Sequence, residues 1–168
     1  MKKILFRFLS LLFVLCLAWL WVLLDAHPAF AQIDTINYSS TNLENRDFSN
    51  KELIGVNFIA AEMRGTNFQG ADLTNAMFTK GNLLGANLEG ANFTNALVDQ
   101  VTLDNANLKN ANFTQATMSR TRFFDADITG ADFTDAIIDR YQVKLMCDRA
   151  EGVNSETGVE TRYSLGCR

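Results

Sequence analysis

The chain has 168 residues, the size of one domain, and its 15 basic against 19 acidic residues leave a formal net charge of −4. That balance offers no basic footprint for a nucleic-acid backbone. His27, Pro28, Trp19, Trp21 and Cys16 all lie before residue 32, so nearly all of the special chemistry sits in the first fifth of the sequence.

The chain opens on Lys2, Lys3 and Arg7, and then runs from Phe8 to Leu24 without a charge. Ala29-Phe30-Ala31 follows, a small-x-small site before Gln32. This is the pattern of a secretory signal peptide over 1–31, cleaved after Ala31. The alternative is a retained anchor, since the apolar run approaches the length of a membrane span. Leu15 stands where a lipid-attached Cys16 would need a small residue, and no twin arginine is present. Cleavage would leave a mature chain without His, Trp or Pro, carrying 12 basic and 18 acidic residues, net −6.

Residues 32–37 form a lead-in. From Tyr38 to Ile138 a large apolar residue returns every five positions with no insertion, as in Phe48, Leu53, Phe58, Met63 and Phe68. Two positions before each large residue stands a small one, most often alanine, as at Ala71, Ala91 and Ala111. Between the two stands most often Asn or Asp, as at Asp72, Asn92 and Asn112. A period of five is neither 3.6 nor 2, so a plain amphipathic helix or strand does not explain it. A helix would turn the apolar residue by about 140° at each step and smear it over every face. The pattern requires a chain that turns a corner every five residues and points the large and small residues inward.

Segments such as Ala71-Asp72-Leu73-Thr74-Asn75 and Ala91-Asn92-Phe93-Thr94-Asn95 resemble the motif A-(D/N)-L/F-x-x of the pentapeptide-repeat family. Self-similarity at one fixed phase marks a stacked repeat architecture. The resemblance implies an all-β solenoid: a right-handed quadrilateral β-helix over 38–138, four five-residue units per coil and about five coils. Residues 20 apart then stack. The first inner column is Leu43, Met63, Leu83, Leu103 and Phe123, and the second Phe48, Phe68, Leu88, Leu108 and Ile128. The third is Leu53, Leu73, Phe93, Phe113 and Phe133, and the fourth Phe58, Phe78, Val98, Met118 and Ile138. Five coils at about 4.8 Å each give a tower of roughly 24 Å. Arg46 and Lys51 replace the small residue near the start, so the first coil is expected to be looser or bent.

Residues 139–168 break the period. The spacing of Ile138, Tyr141 and Leu145 predicts a short amphipathic helix over 139–149, ended by Gly152 and covering the last coil. Cys147 and Cys167 are the only mature thiols. In an exported chain an even pair reads as a disulfide, with two free cysteines as the alternative. Asn154 to Gly158 reads as a turn. The run around Cys147 and the run Thr161 to Cys167 resemble the C-terminal segment of exported pentapeptide proteins of cyanobacteria and chloroplast lumens, which implies the thylakoid lumen or periplasm.

A catalytic site is hard to build from this inventory. Without histidine there is no imidazole base and no Ser-His or Cys-His pair, and a Cys/His zinc site is absent. Asp125, Asp127, Asp132, Asp135 and Asp139 could suggest calcium, but their five-residue spacing spreads them around the faces, as in a solvated rim. No catalytic residue, metal ligand or cofactor is expected. The outward position before each large residue is polar on three columns. On the fourth it reads Asn57, Met77, Leu97, Thr117 and Ile137, with Ile59 on the same side. Ile59, Met77, Leu97 and Ile137 thus form a candidate partner face, unless the tail folds over it.

The expected function is a non-enzymatic structural or interaction protein of the lumen or periplasm, monomeric or weakly dimeric, with an unknown protein partner and membrane contact only through an uncleaved signal. One alternative is a DNA-mimicking, gyrase-interacting protein, as some family members are. A net charge of only −5 across the repeats and the export signal speak against it. The other is a carboxylate-based enzyme, for which a filled solenoid offers no cleft.

Overall fold

A computed structural model describes residues 36–168. The signal reading of 1–31 and the lead-in up to residue 35 lie outside the described residues.

From residue 36 to residue 138 each five-residue unit is a short extended step followed by a tight turn. The turn closes through a backbone bond from the first residue of the next unit to the large central residue. Ala76 N donates to Leu73 O at 3.0 Å, and Ala96 N to Phe93 O at 2.9 Å. The last residue of each unit takes a positive φ, for example +59° at Asn75 and +64° at Gly70. That third turn position favours glycine and asparagine, which meet the left-handed region at low cost. The Asx side chain before the central residue supports the same turn. Asn92 Oδ1 accepts from Thr94 N at 3.1 Å and from the Thr94 hydroxyl at 2.6 Å.

Coils join by parallel pairing at a constant offset of 20 residues. Asn37, Asn57, Met77, Leu97 and Thr117 pair in succession, and the file ends in the two-residue strands β1 (Thr117–Met118) and β2 (Ile137–Ile138). Four units therefore make one circuit. At each step the amides point both ways along the stack: Phe93 N donates forward to Asn112 O at 2.6 Å, and Asn92 N back to Ala71 O at 2.9 Å. Backbone groups that a narrow interior would otherwise orphan are thereby satisfied.

The interior is filled by the four columns. Phe58, Phe68, Phe78, Phe93, Phe113, Phe123 and Phe133 are fully buried, with Leu73, Leu88, Leu108 and Ile128 among them. Phe48, in the first coil, is half-buried and packs against this core. Rings stack along a column, Phe93 on Phe113 at 4.8 Å and Phe113 on Phe133 at 5.3 Å. Between adjacent columns they meet edge to face, as do Phe58 and Phe68 at 5.6 Å and 87°. Both arrangements suit the aromatic quadrupole. Where threonine replaces the small inner residue its hydroxyl is bonded, Thr66 Oγ1 donating to Leu43 O at 2.9 Å.

The first coil departs from expectation. Its backbone ladder is not loose: Leu43 N, Phe48 N and Leu53 N bond the next coil at 2.7, 2.7 and 2.8 Å. Arg46 and Lys51 stand exposed at its corners, so their long side chains leave the backbone ladder untouched.

The tail also differs from its sequence reading. The helix α1 spans Arg140–Cys147, with Asp148 as its C-cap, and so stops short of Gly152. Gly152 has another role. Its φ is +85°, and a Cβ there would stand 2.8 Å from Gly130 N, so this close approach requires glycine. The approach lets Gly130 N donate to Glu151 O at 2.8 Å, extending the ladder beyond the last coil. A bridge between Val153 and Glu160 and a second helix, α2 (Thr161–Ser164), follow; no apolar spacing announces α2. Cys147 and Cys167 are bonded, with S–S at 2.03 Å. Among the described residues no helix is long and apolar enough to cross a membrane.

Candidate interaction surface

The coil geometry assigns each outward side chain to a face. On the second face Asp47, Asn67, Asn87, Asn107 and Asp127 make a polar ladder. Asn67, Asn87 and Asn107 each donate to the preceding rung, at 3.0, 3.2 and 3.1 Å. On the third face Thr74, Thr94, Thr114 and Thr134 bond their own Asx neighbours. The first face carries the ion pairs Arg64–Glu44 and Arg122–Asp104. Hydrogen bonds or ion pairs thus tie the polar side chains of these three faces, while Phe124 on the first and Ile54 on the third stand exposed.

The ends of the polar ladder titrate in a defined direction. Burial pushes Asp127 up, but hydrogen bonds from the Thr129 hydroxyl and amide, with Lys109 at 3.2 Å, outweigh it and hold the carboxyl below 3.8. Asp47 is also held low, chiefly by the Ser49 amide and hydroxyl. A carboxylate depressed in the folded state contributes stability above its unfolded pKa, and loses it as pH falls through the folded value. The thermal midpoint is thus expected to fall below about pH 4, and Asp127→Asn to flatten that fall because its amide extends the ladder to Asn107. A midpoint series from pH 5 to 2 on both proteins checks this.

The fourth face is different. Leu97 is 37 % and Ile137 60 % exposed, while Met77 and Ile59 are half-buried in the same surface. The tail does not bond across them. Arg149 donates to Phe123 O and, at 3.2 Å, to Ala126 O. Asn154 Nδ2 donates to Gly130 O at 2.9 Å and to Asn110 O at 3.1 Å, and Phe133 N donates to the Ser164 hydroxyl at 3.0 Å. These anchors lie at the ends of the first, second and third faces, and at the corner of the fourth Arg120 N donates to Asp139 Oδ2 at 2.6 Å. Sequence reasoning missed that Tyr141, in the first turn of α1, stands 65 % exposed just past this face. The exposed helix position beside Ile137 was the available signal. Of the remaining sequence candidates, the core-ladder residues point inward and belong to no site. The five aspartates are spread over four units, and the described residues hold no group of three or more His, Cys, Asp or Glu placed for a metal.

The family model described as pentapeptide repeats matches in 8 copies, over residues 39–75, 57–95 and 102–139. The chain belongs to the pentapeptide-repeat family. This pentapeptide-repeat protein is similar to one from the Arabidopsis thaliana thylakoid lumen, with 39 % identity, a TM-score of 0.76, and coverage of 78 % of this chain and 91 % of that one. A pentapeptide repeat protein from the cyanobacterium Cyanothece 51142 matches at 20 % identity and TM-score 0.44, covering 62 % and 89 %. A plasmid-mediated fluoroquinolone resistance protein, QnrB1, matches at 19 % identity and TM-score 0.28, covering 67 % and 70 %. No curated protein matches the sequence.

Proposed function

We propose that this pentapeptide-repeat protein is an exported, non-enzymatic interaction protein of the thylakoid lumen or periplasm, and that its fourth face docks a partner protein. In this reading 1–31 is a cleaved signal, the β-helix over 38–138 forms about five coils, and 139–168 is a disulfide-closed cap that protects the last coil. The observation that carries it is the exposure of Leu97 and Ile137 in one file of outward positions, where the matching positions on the other three faces are polar. Similarity to a thylakoid-lumen protein supports the compartment.

Met77→Lys with Leu97→Lys is expected to cost little stability, because both side chains meet solvent, and to abolish partner capture. The check is site-directed crosslinking from residue 97 in lumen or periplasmic extract, with a crosslinker at Asn95 as the control face. Equal capture from both positions, or capture unaffected by the double substitution, refutes the docking role.

A further inference from the structure

We propose that the Cys147–Cys167 bond is a redox latch. A dithiol reductant opens it and releases α2 from the last coil, while the solenoid, α1 and the middle of the tail stay in place. Such a latch governs access to the C-terminal edge of the tower, a different part of the molecule from the docking face.

The first observation is that the tail stands in for one more coil. One coil before the end, Asn110 N donates to Thr129 O at 3.0 Å and Phe113 N to Asp132 O at 2.7 Å. In the last coil the corresponding donors meet tail groups instead. Gly130 N bonds Glu151 O at 2.8 Å, and Phe133 N bonds the Ser164 hydroxyl at 3.0 Å. Without its stand-in such a rung is an open strand edge, a template for pairing with another chain.

The second observation is that two parts of the tail are held very unequally. Its middle is anchored without the cross-link. Arg149 donates to Phe123 O and, at 3.2 Å, to Ala126 O, and the buried Asn154 donates to Asn110 O and Gly130 O while accepting from Glu156 N and Thr157 N at 2.9 Å. The end is not. From Thr161 onward, the bond that Ser164 accepts from Phe133 N is the only hydrogen bond to the tower among the described residues. A helix of four residues does not persist by itself. Only Thr161 and Leu165 of this end are buried, and Thr161 Oγ1 has no hydrogen-bond partner among the described residues, which weakens the closed state. What fastens α2 is therefore covalent: Cys167, close behind Leu165, is tied to Cys147 of α1, whose neighbour Met146 is fully buried.

The third observation is access. Cys147 and Cys167 are each half-buried rather than sealed in the core, so a thiolate reaches the sulfurs without prior unfolding. One thiolate of the dithiol attacks a sulfur of the pair, the sulfur–sulfur bond breaks, and the displaced cysteine leaves as a thiolate that takes up a proton. The second thiol of the reductant then attacks the mixed disulfide. Cys147 and Cys167 end as thiols and the reductant as a disulfide. The cross-link no longer holds α2 against the last coil, and the Phe133 amide loses its partner.

The test is amide hydrogen exchange followed by NMR on the purified protein at room temperature: oxidised, reduced with dithiothreitol, and reoxidised. Reduction is expected to speed exchange of Phe133 and of residues 161–168 by roughly a hundredfold, the factor by which a cross-link closing a loop of this length restrains opening. The amides of Leu88, Phe113 and Asn154 should keep their protection, and reoxidation should restore the slow exchange. Cys147→Ser with Cys167→Ser should exchange as the reduced protein does and ignore dithiothreitol. Thr161→Val, which removes the unpartnered hydroxyl, should hold α2 more firmly and shrink the effect of reduction several-fold. Unchanged exchange at 161–168 in a protein shown to carry two free thiols overturns the latch. So does a bond that dithiothreitol reduces only in denaturant. Loss of protection at Leu88 and Phe113 along with α2 also overturns it, because the bond is then a staple of the whole fold.

Discussion

Phe93→Asp is expected to abolish cooperative unfolding of the β-helix. Phe93 has no solvent exposure, stacks on Phe113 at 4.8 Å and leans on Phe78 at 5.4 Å. Truncating such a ring costs about 3–5 kcal/mol. Leaving an unpaired carboxylate in its place adds several more, because no base stands near enough to compensate. The total rivals the 5–15 kcal/mol that holds a typical domain together. Thermal and urea melts followed by circular dichroism should show no transition for Phe93→Asp. Phe93→Leu should keep one and lose roughly 1–2 kcal/mol. Asn95→Asp, two residues away at an exposed corner that tolerates Asp, should melt like the wild type. A Phe93→Asp midpoint within a few degrees of wild type would mean that the column does not face inward.

The second large effect is expected from the cross-link. Cys147 closes α1 and Cys167 lies one residue from the C-terminus, 20 residues on. A loop of that length restricts the unfolded chain by about 3 kcal/mol. Cys147→Ser with Cys167→Ser should therefore lower the midpoint by roughly 10 °C, and reductant should do the same to the wild type and nothing further to the variant. The loss should begin at the tail. Between the two sulfurs lie Arg149, which donates to carbonyls of the last coil, and Asn154, which binds Gly130 O. Limited proteolysis should cut first after residue 148 while the coil spectrum persists. Simultaneous loss of tail protection and coil signal would show that the cap and tower unfold as one unit.

The two expectations draw on different parts of the sequence, and these were not equally legible. The tower could be read because its rule is local: each five-residue unit carries its inward pair, its Asx support and its turn, so Phe68, Leu88, Leu108 and Phe113 announce their burial by spacing alone. The pairing of Cys147 with Cys167 was legible for a similar reason, as no other thiol follows residue 32. The cap was not. An amphipathic spacing gave α1, but its end at Cys147 is followed by contacts with Phe123, Ala126 and Gly130, all more than 20 residues away in sequence.

What the sequence determined unaided is the inside and the outside of the solenoid, together with one column whose outward residues are too apolar for their rung. The tertiary structure decided the rest: that Arg149, Asn154 and Ser164 of the tail bond at the ends of the first three faces, and that Leu97 and Ile137 stay open to solvent. The physical reason is that a repeat's burial is set within five residues, whereas the occupant of each face depends on backbone groups brought together only when the coils have closed.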